Sequence, residues 1–329
     1  MLRVFCSGGL QDHPIYRRDA CATGEAGFQN RFSPTMSLRH ECRAPGHYAN
    51  APIVNVANTF ASQTHEPFGK NFPALMGHQD TYYRNNEEYA EFLSGWDLNF
   101  YGKYSDTLKP DKPDGKALDV GCGVGQVVHR LDKEGIEAHG VDISGPNITK
   151  AKEFCERCQL YDGRKLPFPD NHFDSVGSLN VLEHVDEPEA FLADLVRVTK
   201  PGGKVVVSSP NFFRAIGLGD YHYRMRGLGN KWRNLSRVLE KRRQMKSTPD
   251  EVRFDRMKAI VKEPFEPDDD AVVLTNLLEI RFFLERNGCV TEKAQCTDRY
   301  VFKPLEVLLN LTPARYVMLC AFVVGRKKS

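Results

Sequence analysis

From residue 116 onward the chain alternates between two hydrophobic rhythms. Apolar runs of strand length fall at 117–120, in "GIEAHGVDIS" ending at Asp142, in "CQLYDG", in "FDSVGSLN" and in "KVVVSSP". Helical spacing covers 126–133, 146–158 and 188–199. Strands alternating with helices at this interval predict a parallel, doubly wound α/β sheet. The alternation stops at residue 211 and resumes with an apolar helix near 272–286. A strand near 289–294 and a closing strand at 315–324 follow. Residues 211–270 therefore read as an insertion after the fifth strand.

Upstream, Tyr82, Tyr83, Tyr89, Phe92, Leu93, Trp96, Leu98, Phe100, Tyr101 and Tyr104 recur at roughly helical spacing among charged residues. They predict one or two amphipathic helices over 73–112, laid across the domain as a cover. "KPDKPDG" breaks the chain after them. Residues 1–72 show neither rhythm and read as disordered or loosely attached. The expected organisation is thus 1–72, a helical cover at 73–112, a domain built from 113–210 and 271–329, and the insertion 211–270.

Composition narrows the class. At 329 residues, 41% hydrophobic and 27% charged, this is an ordinary globular composition, and a net charge of +2 excludes a whole-chain polyanion binder. Nine scattered cysteines with no apolar leader core ahead of them predict reduced thiols and a cytoplasmic setting. An organelle leader is the competing reading. Arg3, Arg17, Arg18 and Arg31 favour it; Asp12, Asp19 and Glu25 oppose it. Cys155 and Cys158 form a CxxC with no second pair, and are expected as two thiols on a helix. No apolar run reaches the ~18 residues of a membrane span. Segment 303–311 ("KPLEVLLNL") is expected to face the core, with contact to a membrane or prenyl tail as the alternative.

The chemistry concentrates in "ALDVGCGVGQ" (117–126). Ligands of open parallel sheets sit beyond the carboxyl ends of the strands, and this loop lies there. A dinucleotide fingerprint, GxGxxG, fits poorly: the sixth position from Gly121 is Gln126, and from Gly123 it is Val128. Four pieces in order, "LDVGCGVG", "GVDIS", "DGRKLPFPDNHFDSVGSLNVLEHV" and "RVTKPGGKVVVSSPN", resemble the class I S-adenosylmethionine-dependent methyltransferases. The resemblance is to the broad group that includes the quinone-biosynthesis C- and O-methyltransferases. The resemblance covers 117–210 and the terminal strand, under half the chain.

That resemblance implies a mostly parallel, seven-stranded Rossmann-like sheet with an antiparallel C-terminal strand. It also implies S-adenosyl-L-methionine as cofactor and methyl transfer as the reaction. Asp119, Gly121, Cys122, Gly123 and Gly125 would lie under the methionyl and ribose parts. Asp142, beside Ile143, would accept the ribose hydroxyls. Asp162, Gly163 and Leu166 would surround the adenine, and Leu179 and Asn180 would face the methionyl end. His184 in "LEHV" is the candidate base, with Glu183 a weaker one. Tyr221 and His222 in "GDYHYRMRG" are candidates contributed by the insertion, whose glycines would hinge a lid. The ten histidines are dispersed and form no HxxxH, so no metal site is expected.

Arginines 214, 224, 226, 233, 237, 242 and 243, mixed with aromatics, suit an anionic small-molecule or lipid- or sugar-linked acceptor. The near-neutral chain disfavours nucleic acid, although an RNA methyltransferase could use the same segment. The other readings are a SAM-fold binding protein without turnover and, against Gln126, a nicotinamide-dependent oxidoreductase.

Overall fold

A computed structural model describes residues 83–96, 98–217, 222–260, 268–298 and 301–329. Seven strands form one sheet in the order β3-β2-β1-β4-β5-β7-β6. They are β1 (Lys116–Val120), β2 (Glu137–Asp142), β3 (Cys158–Leu160), β4 (Phe173–Leu179), β5 (Thr199–Ser209), β6 (Cys289–Thr297) and β7 (Cys320–Lys327). β1 to β5 pair in parallel, while β7 runs antiparallel to both β5 and β6. Strand order reverses between β1 and β4, which opens a crevice at their carboxyl ends.

Helices cover both faces, so the central strands are buried almost throughout, as parallel sheets require. On one face lie α2 (Gly102–Leu108), α3 (Gln126–Lys133) and α4 (Gly145–Lys152). Their Tyr104, Leu108, Val127, Val128, Leu131 and Ile148 pack with Ala117 and Val206. On the other face α5 (Pro188–Val198) and α7 (Leu277–Arg286) bury Leu192, Leu195, Ile280 and Leu284 against Leu118, Val176, Val205 and Val207. α1 (Glu87–Ser94) begins at Asn86, whose side chain accepts from the Tyr89 N–H, a standard cap.

Several expectations need correction. The helix expected at 272–286 starts only at Leu277, because 272–276 is extended. There the Val272 and Val273 N–H groups donate to the Glu183 carbonyl, and the Asn276 side chain caps α7. The helix expected at 146–158 ends at Lys152, so Cys155 and Cys158 do not share a helix; Cys158 opens β3. The closing strand starts at Cys320. Residues Pro313–Tyr316 form a 3-10 turn, and Leu319 takes a left-handed φ of 44° before the strand.

Segment 211–270 carries the 21-residue basic helix α6 (Gly227–Ser247) and enters the main core through Phe212, Phe213, Met225, Val238, Val252 and Phe254. α8 (Lys303–Asn310) buries none of its residues, against the core-facing expectation. The described residues contain no helix long and apolar enough to cross a membrane.

Gly177 in β4 fixes how closely α2 can lie. A Cβ there would come 2.4 Å from the Tyr104 hydroxyl oxygen and 2.8 Å from Leu108 Cδ1. Both side chains are buried, so neither can swing aside. Gly177→Ala is expected to lower unfolding free energy by about 1–3 kcal/mol, as overpacked cores do. Urea denaturation would read it; an unchanged midpoint would contradict this packing.

Candidate functional site

β1 delivers Asp119 and then the glycine loop. Gly121, Gly123 and Gly125 all have positive φ, at 75°, 53° and 79°. At Gly121 the requirement is steric as well, because a Cβ would meet Val181 Cγ2 at 2.2 Å. The loop is held to β2 along its length. The Gly121 and Cys122 N–H groups donate to the Val141 carbonyl at 2.8 and 3.0 Å. Asp142 Oδ2 accepts from the Gly123 N–H at 2.9 Å, and Oδ1 accepts from Ser144 N–H at 2.8 Å and Asn147 Nδ2 at 3.3 Å. Above the loop lies α1: a Cβ on Gly123 would sit 3.1 Å from Leu93 Cδ1, and Gln126 Nε2 donates to the Leu93 carbonyl. The expected cover is therefore seated directly on the loop.

The charges beneath are unusual. Asp119 is buried, and burial pushes its carboxyl up to about 7, against a pull downward from the Tyr104 hydroxyl that donates to Oδ1 at 2.6 Å; the Asp142 charge adds to the rise. Burial also raises Asp142, partly offset by its hydrogen bonds. The hydrogen-bond partners of both carboxylates are neutral. Tyr89 of α1 is raised well above its ordinary value by burial, with the charges of Asp270 and Asp142 contributing next. It thus lies within electrostatic reach of two acids from different parts of the chain.

A second group forms beyond β4, where a 3-10 turn, Leu182–His184, presents His184. His184 Nδ1 lies 2.9 Å from the Tyr83 hydroxyl, which in turn donates to Asp270. Asp270 Oδ2 is 3.6 Å from Nδ1, and Glu183 Oε1 is 3.9 Å from Nε2. Since the tyrosine donates to Asp270, its lone pair is what faces Nδ1. That arrangement suits the tautomer with the ring proton on Nδ1. Glu183 is fully buried. Its carboxyl is pushed up by burial and by the Asp268 charge, while Ser209 donates to Oε2. Glu183, His184 and Asp268 also offer ligand atoms within 4.8 Å of one another, a grouping that dispersed sequence positions concealed.

The other expected residues divide. Asn180 is exposed just after β4 with a left-handed φ of 53°, a strained geometry often tied to function. Leu179 ends β4 and is half-buried, as is Ile143 after β2. Asp162 is exposed and folds its own loop, accepting from the Arg164 and Lys165 N–H groups. Its carbonyl accepts from Arg84 of the cover, and Gly163 follows at φ 81°. Leu166 is buried in the main core, with its N–H on Asp194. The Cys122 thiol is buried against Gly140, whose Cβ would lie 2.8 Å from Sγ, so this residue serves the loop through its backbone. His222 is buried against Phe212 and caps a 3-10 turn by accepting from the Arg224 N–H. Tyr221 lies outside the described residues.

Sequence reading missed Tyr83, Tyr104 and Asp270 as site residues. The tyrosines stood out only as part of the aromatic cover. Asp270 sits in an acidic run with no periodic signature.

Residues 118–207 match the methyltransferase domain family. Over that stretch the chain is similar to methyltransferase domains. A norajmaline N-methyltransferase of Rauvolfia serpentina is 34% identical over 34% of this chain and 40% of its own length. A ubiquinone biosynthesis O-methyltransferase of Rhodopseudomonas palustris is 37% identical over 29% of this chain and 40% of its own. The chain thus spans about two fifths of the length of these curated relatives. Among solved structures, a SAM-dependent methyltransferase from Aquifex aeolicus aligns at a TM-score of 0.43 and 15% identity, over 73% of this chain and 98% of that one.

S-adenosylmethionine is the cofactor of this family, and the residues fit it. Two buried carboxylates with neutral partners complement a ligand carrying ammonium and sulfonium charges. The bare backbone at Gly121–Gly125 gives it a surface, and Asp119, Asp142 and Asn180 would hold its polar groups.

An unfolded Asp titrates near about 3.9, whereas Asp119 in the folded chain titrates at about 7. The native state therefore holds an extra proton in that window, and stability falls as pH rises through it. Tyr104→Phe removes the hydrogen bond that favours the anion, so the carboxyl moves higher still. The loss of stability between about pH 5 and pH 8 should grow by up to about 1.4 kcal/mol, measured by urea unfolding at both pH values. An unaltered pH dependence would refute the pairing. Asp142→Asn cannot accept at both oxygens and leaves one loop N–H unpaired. Its affinity for S-adenosylhomocysteine in calorimetric titration should fall about tenfold or more.

Proposed function

We propose that this chain transfers the methyl group of S-adenosylmethionine to a hydroxyl of a small-molecule or lipid- or sugar-linked acceptor, with His184 as general base. The observation that carries this reading is the Asp270–Tyr83–His184 chain at the carboxyl end of β4, the strand beside β1 and its glycine loop. The cofactor supplies an already activated methyl on a sulfonium, so no metal or covalent enzyme intermediate is required. What the protein must add is alignment of the acceptor and removal of its proton.

His184 Nε2 receives that proton. Nδ1–H stays on the Tyr83 oxygen, and the tyrosine donates to Asp270, so the imidazolium that forms is held in place and its charge is compensated. Tyr89 and Leu93 of α1 help exclude water from the loop. The basic α6 suits an anionic acceptor, and ring C-methylation beside an ionised hydroxyl would use the same base. Relatives named for the O- and N-methylation of small molecules support this acceptor class. The cysteine pattern supports a cytoplasmic setting.

A nicotinamide oxidoreductase is disfavoured because Gln126 stands where a third glycine would be and is tied to Leu93. A non-catalytic SAM-binding protein is separated by turnover: release of S-adenosylhomocysteine with a hydroxylated acceptor excludes it. Against such an acceptor, His184→Gln is expected to lower kcat about 10²–10⁴-fold while cofactor affinity stays as in the wild type. Full activity in that variant would remove His184 from the mechanism.

A further inference from the structure

α8 is inside out. Two of its polar residues face the protein: Asn310 exchanges hydrogen bonds with the Cys296 backbone, and Glu306 pairs with Lys103 at 2.8 Å. Its apolar residues other than the half-buried Leu309 face solvent. Leu305, Val307 and Leu308 are exposed, and the flanking Phe302 and Leu311 reach 74% and 80% exposure. Ordinary surface helices do the reverse, and a contiguous apolar ridge of this kind marks an interaction site.

Positive charge gathers at the C-terminal end of the same helix. The Tyr316 ring has the Arg242 guanidinium of α6 at 5.7 Å and that of Arg315 at 5.1 Å, and its hydroxyl accepts from Arg281 and Arg315. Arg281 is paired with Glu285, but Arg242 and Arg315 have no carboxylate partner among the described residues, and the buried Arg315 Nε has no hydrogen-bond acceptor. Arg315 also donates to the Asn310 carbonyl, which ties the arginines to the end of α8.

We infer that α8 and the Tyr316 arginine cluster form a docking surface for an anionic phospholipid bilayer. Exposed leucines, Val307 and Phe302 would enter the boundary between headgroups and acyl chains, and the guanidinium groups would meet lipid phosphates. A second copy of this chain fits less well, since it would bury the ridge but bring no phosphate to the arginine cluster. Nucleic acid gives the leucines nothing to bury them. The inference is independent of the methyltransferase reading.

The test is co-sedimentation of the full chain with phosphatidylcholine vesicles, with and without phosphatidylglycerol. Binding is expected only with phosphatidylglycerol, falling as salt rises. It should weaken about tenfold or more in Leu308→Asp and, separately, in Arg242→Glu. Leu308→Ser serves if the aspartate variant melts early; because the position is exposed, the melting temperature of either should match the wild type. No binding to phosphatidylglycerol vesicles, or binding unaltered by these substitutions, would overturn the proposal. So would self-association in sedimentation velocity that Leu308→Asp abolishes, which would assign the ridge to a second copy.

Discussion

The site depends on the carboxylate of Asp142. Three glycines in five positions give a loop that many conformations would suit, and glycine loses more entropy on ordering than any other residue. Two hydrogen bonds to Val141 and one to Asp142 fix it in a single shape. The same carboxylate caps the turn into α4 through Ser144 and Asn147. One buried acid therefore sets the loop after β1, the turn after β2 and the floor between them. Because its charge is desolvated, every neutral donor around it counts.

Around that floor the chain gathers buried acids, with the carboxyls of Asp119 and Glu183 raised by burial. Asp119 and Asp142 lie under the loop, and Glu183 and Asp270 lie beyond β4, with Tyr89 within reach of both groups. Buried acids without cations destabilise a fold unless protonated or matched by a ligand. The proposed cofactor, which carries positive charge, would offset that cost.

How much of this was legible follows from how local each signal is. β1, its glycines, β2 ending at Asp142 and β4 ending before Asn180 were all readable, because each is a short contiguous pattern with one structural solution. The helix expected at 272–286 failed because tertiary hydrogen bonds from Val272 and Val273 to Glu183 override local helical spacing. Tyr83 and Asp270 lie 187 positions apart and meet only through the fold. No periodicity signals a pair like that. α8 was misread for a similar reason: its amphipathic pattern is plain in sequence, but which side faces the protein is decided by Asn310 and Cys296.

The ligand of the glycine loop decides the chemistry of the site. The most direct measurement is calorimetric titration of the intact chain with S-adenosylhomocysteine and, in parallel, NADH. The structure predicts saturable one-to-one binding of S-adenosylhomocysteine and none of NADH. Binding of NADH with no response to S-adenosylhomocysteine would contradict it.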